Sequence, residues 1–273
     1  MIIADCHVHS DFSSDSKAPM EQMIEKGIEE GLKWICFTDH MDYDYPPVSE
    51  YSFVFDPEAY VRKINELKER YKAQIEILTG IELGLQPHLS DRMAALLKSF
   101  SFDFVIGSSH VVDNMDPYYA DYWENRSVKD GIYRYYESII ENCKAFQGFD
   151  VYGHIDYIIR YVPGQLNSPV KMDYSYAEYA DILDEVLKTI ITSGKGIEVN
   201  SSGLKYGQTY PHPKPEILKR YKELGGELIT IGSDAHRPEH LCYSFSVISD
   251  LLKSLGFKYY AVFILGKPVY ERL

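Results

Sequence analysis

The sequence predicts an α/β domain whose parallel strands close into a distorted barrel, and three observations carry that prediction. Short apolar runs alternate with segments of helical period along the chain, the pattern of strands joined by crossover helices. Seven of the eight runs carry a histidine or glutamate at or near the C-terminal end, which is where barrel strands open into functional loops. No linker of low complexity and no internal repeat breaks the alternation, so residues 1–273 are expected to form one domain.

The elements follow in order. IIADCH (2–7), KWICFTDH (33–40), IEILTGIEL (75–83) and FDFVIGSSH (102–110) read as buried strands, as do DVYGHI (150–155), GIEVNSS (196–202), LITIGSDAH (228–236) and YYAVFIL (259–265). Between the first two, Met20, Met23, Ile24, Gly27 and Ile28 repeat at helical spacing, with Pro19 suited to the first turn and Gly31 to the stop. Asp56 before Pro57 starts a second helix bearing Val61, Ile64 and Leu67. Asp173 is the expected cap of a long helix carrying Ala180, Leu183, Val186, Leu187 and Ile190 and closed by Gly194. Three connections, 41–55, 111–127 and 156–171, exceed the usual loop length and are expected on one rim of the barrel.

Composition removes several function classes. A formal net charge of -13 disfavours a polyanionic partner, so no nucleic acid is expected. No apolar run approaches the length of a membrane span and no leader precedes the first strand, so the expectation is a cytoplasmic protein without a membrane partner. The four cysteines form no C-x-x-C pair and read as reduced thiols. Oligomeric state is not legible.

The strand ends collect a particular set of side chains. His7 and His9 alternate on the first strand, with Asp5 on the same face. His40, Glu82, His110 and His154 close the next four runs, Glu198 and Asn200 the sixth, and Asp234 and His236 the seventh. His88, His212 and His240 sit in polar stretches away from strand ends and are set aside as structural. Imidazole and carboxylate donors without thiolates suit Zn, Fe or Mn. The set is too large for one ion, which points to a cluster of two or three divalent transition metals with open positions and to hydrolysis by a metal-activated water. Asp5 either joins the ligands or orients one of the histidines.

These segments, DCHVHS followed by SSDS, then FTDH, GIELG, GSSH, YGHID, EVNSSG and GSDAH, resemble in that order the PHP (polymerase and histidinol phosphatase) superfamily. FTDHMDYDYP, YGHIDYIIRY and EVNSSGL are most similar to its stand-alone histidinol-phosphate phosphatases. The resemblance implies a distorted (β/α)7 TIM-like barrel with a trinuclear metal site at the C-terminal ends of the strands. It implies one metal on His7, His9, Glu82 and Asp234, a second on Glu82, His110 and His154, and a third on Asp15, His40 and His236. That filled set leaves Asp5 as a support, and it leaves YYAVFIL without a barrel place, as an extra strand or a cover.

The reaction so implied is hydrolysis of a small phosphorylated substrate, L-histidinol phosphate first, by a hydroxide bridging two metals on Glu82. Asp234 or His236 would deliver the proton to the leaving oxygen. Arg160 and Arg237 are candidates for phosphate binding, and Asn200 or Glu198 for the amine or hydroxyl portion. The acidic, aromatic loops MDYDYPPVSEYSFVFD and VVDNMDPYYADYWEN suit a cationic, ring-bearing substrate end. Alternatives are another PHP-type phosphoesterase (a different monoester, phosphotyrosine or a phosphodiester), a metal-dependent amidohydrolase, or a non-enzymatic metal-stabilised module, which would lack ligands.

Overall fold

Parallel strands of β-branched and aromatic residues build the centre of the molecule. The structure, a computed structural model, describes residues 2–47, 52–166, 168 and 171–273. The strands are β1 (Ala4–Val8), β2 (Trp34–Phe37), β3 (His40–Met41), β4 (Glu76–Gly84), β5 (Phe104–Ser108), β6 (Val151–Tyr152), β7 (Gly196–Asn200) and β8 (Ile229–Gly232), followed by β9 (Tyr259–Ile264) and β10 (Lys267–Arg272). Their order in the main sheet is β1-β2-β4-β5-β6-β7-β8, with β3 beside the end of β4, and each neighbouring pair is parallel. The sheet is nearly closed: past β8 the Asp234 N–H donates to the His7 carbonyl at 2.9 Å, and the His9 N–H to the Ala235 carbonyl at 2.9 Å. This is the distorted seven-stranded barrel expected.

The crossover helices form where the apolar period placed them. Helix α1 (Met20–Glu29) buries Met20, Met23, Ile24 and Gly27, and Gly31 turns the chain at φ 76°. Helix α2 (Pro57–Tyr71) is capped by Asp56, whose carboxylate accepts the Glu58 N–H. Next come α3 (Ser90–Ser99), α4 (Ala120–Trp123) and α5 (Val128–Ala145), then α6 (Ala180–Thr192), α7 (Ser202–Lys205), α8 (Pro215–Glu223) and α9 (Phe245–Ser254).

The expected cap of α6 is corrected. A 3-10 turn over Tyr176–Tyr179 leads into that helix, and Ser175 and Glu178 form a capping box on it, satisfying two otherwise unpaired N–H groups at once. Asp173 instead pairs with the Lys214 ammonium at 2.6 Å.

YYAVFIL is a cover and not a barrel strand. β9 pairs antiparallel with β10, a strand not foreseen in KPVYER, through a two-residue turn at Leu265 and Gly266. Both turn residues have positive φ, 51° and 69°, the type I′ geometry that suits hairpin twist. The hairpin closes the base of the barrel: the Ile3 N–H donates to the Tyr260 hydroxyl at 3.0 Å, the Leu265 N–H to the Asp103 carboxylate at 3.0 Å, and Phe263 stacks on Phe104. The opposite end, where the strands terminate, is left open for the long connections.

Candidate metal centre

Each strand delivers its last polar residues to this open end, and they meet. His7 from β1 and His9 just beyond it bring their Nε2 atoms to 3.0 Å of one another. Glu82, late in β4, lies between five imidazoles: its carboxylate is 3.3 Å from His7, 3.6 Å from His9, 3.0 Å from His40, 3.3 Å from His110 and 3.0 Å from His154. Asp234 lies 3.4 Å from His9 and 3.5 Å from His236. Asp15 reaches His236 at 3.1 Å and His40 at 3.7 Å. All nine residues proposed from the sequence as ligands are therefore in one place. Four overlapping groups have donor atoms within 4.8 Å of one another: His9 with His40 and His236; His7 with His9 and Glu82; His40 with Asp42 and His110; Glu82 with His110 and His154.

The donor set fits metal better than it fits hydrogen bonding among itself. Ligand atoms about 2.0–2.1 Å from one tetrahedral ion lie roughly 3.3 Å apart, the spacing seen here. Glu82 Oε2, His40 Nδ1, His154 Nδ1 and His236 Nε2 are buried without a hydrogen-bond partner, a costly state for polar atoms left alone. Neighbouring groups also fix which nitrogen is offered. Glu198 accepts from His7 Nδ1 at 2.5 Å, Asp42 from His110 Nδ1 at 2.8 Å, and Ser13, whose own proton goes to Asp39 at 2.7 Å, from His9 Nδ1 at 3.0 Å. Each of these bonds commits Nδ1 as the donor and turns Nε2 inward.

Burial opposes charge on every group here, and the neighbours decide the outcome. For Glu82 the cost of burial is outweighed by His7, His110 and His40, which hold the carboxyl well below its usual range. Asp234 is likewise held low against burial by His7, His9 and His236. Burial, with His236 and His40 alongside, keeps His9 neutral. His7 is raised despite burial by Glu198 and Glu82, His110 by Asp42 and Glu82, and His40 is raised to about 9 by Glu82 and Asp15. The carboxylates stand ready as ligands, while three of the histidines carry protons that a metal must displace.

Some expected roles change. Asn200 is fully buried: its amide donates to Glu198 at 3.1 Å and to Asp234 at 3.5 Å, and its Oδ1 accepts the Ser202 N–H at 2.9 Å. It lines neither cavity. Glu198, also buried, is occupied by His7, Asn200 and the His154 N–H at 2.9 Å. Asp5 is a support, but of backbone: it accepts the N–H groups of Ser233 at 2.9 Å and Cys242 at 3.0 Å, pinning the last strand to the first. Gly232 permits that closeness, since a Cβ there would lie 2.3 Å from His7 Cβ and 2.6 Å from Glu198 Oε1. His212 is paired inside the protein with Asp156 at 2.6 Å, and His88 pairs with Asp44 on the surface. His240 does line the open cavity beside His236.

Several residues escaped the sequence reading, Ser13 and Tyr206 among them. Asp42 stands two positions after His40, a repeat of the period that exposed His7 and His9. Lys205, whose ammonium donates to the Asp234 carbonyl at 2.9 Å, carries no spacing signal.

A cavity of about 480 Å³ opens over the centre, lined by His40, His110, His154, Asp234, His236 and both Arg160 and Arg237. An adjoining cavity of about 370 Å³ shares Asp15, Tyr45, Phe53, Asp116 and Arg160 and adds Tyr118 and Tyr119. All three long connections contribute walls. The Tyr45 hydroxyl donates to Asp116, joining two of them, and the Arg160 guanidinium lies 3.7 Å over the Tyr206 ring.

The PHP domain model matches residues 5–202. The chain belongs to the PHP domain family. It is 32% identical over 244 residues to a probable histidinol-phosphatase of Clostridium acetobutylicum, covering 89% of this chain and 90% of that protein. It is 30% identical over 265 residues to the histidinol-phosphatase of Lactococcus lactis, covering 95% and 93%. The crystal structure of the Lactococcus lactis histidinol phosphate phosphatase complexed with zinc, L-histidinol and phosphate superposes with a TM-score of 0.86 at 29% identity, over 97% of this chain and 98% of that one. Among the described residues no helix of this PHP protein is long and apolar enough to cross a membrane.

Because His7, His40 and His110 are held protonated in the metal-free protein, loading the centre with zinc at pH 7 should release about three protons per chain. Titration calorimetry in buffers of differing ionisation enthalpy counts them, and affinity should climb with pH from neutrality through the titration of His40 near 9. Release of no protons would contradict the protonation described.

Proposed function

We infer that this PHP protein is a metal-dependent phosphomonoesterase that hydrolyses L-histidinol phosphate to L-histidinol and phosphate. The observation that carries the reading is the convergence of six imidazoles and three carboxylates on the floor of a cavity whose outer wall is largely aromatic and carries Asp116. The relatives named above support the substrate, and the ring faces and Asp116 of the outer wall suit its cationic end.

His7, His9, Glu82 and Asp234 would hold one ion, Glu82, His110 and His154 a second, and Asp15, His40 and His236 a third, with Zn, Fe or Mn acceptable to these donors. When bound, such ions supply a water made nucleophilic near neutral pH and positive charge for the phosphoryl oxygens. The protein's own part is orientation and charge. Glu82 presents one oxygen toward His110 and His154 and the other toward His7 and His40, which suits a shared ligand. Arg160, stacked on Tyr206 at the cavity wall, offers a planar fork to the non-bridging phosphate oxygens. Arg237 is exposed at the rim and meets the phosphate from outside. Lys205, behind Asp234, adds a further cation to that side. Asp234 and His236 border the cavity where the leaving oxygen would take up a proton.

The outer cavity supplies recognition. Tyr45, Phe53, Tyr118 and Tyr119 provide ring faces and Asp116 a carboxylate, and both attract an imidazolium or ammonium group. A site of this kind should favour a phosphate ester with a cationic ring at the far end over one without.

The purified, metal-loaded protein should turn over L-histidinol phosphate with kcat/KM at least about tenfold above glycerol phosphate, a phosphotyrosine peptide and bis-p-nitrophenyl phosphate, the loss expected when one polar contact has no partner. Preference for the peptide, the diester or an amide would overturn the assignment. Arg160→Ala should raise KM for L-histidinol phosphate and lower kcat/KM by about 10²-fold, as loss of a fork on the phosphoryl oxygens requires. Unchanged kcat and KM would remove Arg160 from the phosphate site.

A further inference from the structure

The basal hairpin carries an unpaired strand edge. β9 is the only partner of β10 among the described residues. Tyr260, Ala261, Val262 and Phe263 of β9 are buried beneath the barrel, whereas Val269 and Tyr270 of β10 are 39% and 55% exposed and Leu265 at the turn is 77% exposed. Large apolar side chains at an open edge form a template for another strand.

The direction of each backbone group follows from the hairpin. Lys267 pairs with Ile264 across the two-residue turn, and beyond β10 the Leu273 N–H donates to the Lys258 carbonyl at 3.1 Å. The odd-numbered residues therefore turn their N–H and C=O toward β9. Pro268, Tyr270 and Arg272 turn theirs outward, because the pleat alternates. Lys267, Val269 and Glu271 share one face of the strand.

We propose that β10 pairs with β10 of a second copy of this chain, antiparallel about a two-fold axis at Val269, to make a dimer through the base of the barrel. In that register Val269 faces the partner's Val269, and Lys267 faces the partner's Glu271, which also lies 3.7 Å from Lys33 of its own chain, so that the stripe Lys-Val-Glu is complementary to itself, as a two-fold interface requires. Opposite charges directly across a non-hydrogen-bonded pair are favourable and like charges are not. Pro268 has no N–H to give, so each Pro268–Tyr270 pair keeps one of its two backbone bonds, from the N–H of the partner's Tyr270 to the Pro268 carbonyl, and the Tyr270 carbonyl faces water. The pairing therefore rests on two backbone bonds and on the Lys-Val-Glu stripe. The metal centre lies at the other end of the barrel, so both cavities remain accessible.

Sedimentation velocity at about 100 µM chain detects association even in the micromolar range, and dimer should be the principal species of the intact protein. Lys267→Glu places like charges opposite each other twice per dimer and should weaken association about tenfold. Lys267→Glu combined with Glu271→Lys restores opposite charges and should bring association back to within about threefold of the original. Val269→Cys should form a disulfide-linked dimer under mild oxidation, since residues across a non-hydrogen-bonded pair lie about 4.5 Å apart at Cα, and Tyr270→Cys should not. Circular dichroism and Tm of each variant show that it is folded. A monomeric parent protein, failure of the double variant to recover, or cross-linking at Tyr270→Cys and not at Val269→Cys would each overturn the proposal.

Discussion

Glu82 is a buried carboxylate ringed by five imidazoles, and the open end of the barrel is arranged around that charge. An ionised carboxylate out of water is strongly unfavourable unless it is paired and hydrogen-bonded. Here the pairing comes from residues on separate strands, so it exists only when the barrel is closed. Closure in turn depends on Asp5, whose carboxylate gathers the N–H groups of Ser233 and Cys242, and on the backbone bonds between His7, His9 and the segment following β8. Asp234 sits at that seam with φ 54°, a conformation aspartate tolerates better than most residues, and it faces the histidines directly.

A second ring of groups makes this first one usable. Glu198, Asp42 and Ser13 each take the Nδ1 proton of one histidine, so rings that could rotate or change tautomer are held with one nitrogen inward. Asn200 ties Glu198 to Asp234, linking the seam of the barrel to the strand beside it. Side chains of this kind keep donor atoms in place before any ion arrives. The long connections then provide what the strands do not, a largely aromatic wall carrying Asp116 and the tyrosines, above a floor of imidazole and carboxylate.

The centre was legible in the sequence because position along a strand is a geometric statement. Residues that end parallel strands of one barrel arrive at one rim, so His7, His40, Glu82, His110, His154 and Asp234 could be gathered from the apolar runs alone, whereas Asp15, in a loop, entered through family resemblance. Support roles were harder to read. Glu198 and Asn200 sit at the end of β7 like the ligands of the other strands, and only the side-chain bonds reveal that both face neighbours and not the cavity. Asp5 shares the period of His7 and His9, but it lies one layer deeper, where backbone N–H groups and not imidazoles await it. Asp173 was a reasonable cap by residue type, yet Ser175 and Glu178 offered the backbone two bonds where Asp173 offered one. β10 was hidden because KPVYER is charged, exposed and contains a proline, so it carries none of the apolar alternation that marks a buried strand.

The central claim is that these nine side chains form one multinuclear metal site at the mouth of the barrel. Anomalous diffraction from crystals of the zinc-loaded protein tests it most directly. The account predicts two or three ions within about 2.0–2.3 Å of His Nε2 or Nδ1 and carboxylate oxygens, with Glu82 touching two of them. A single ion at full occupancy, or ions bound away from Glu82, would contradict it.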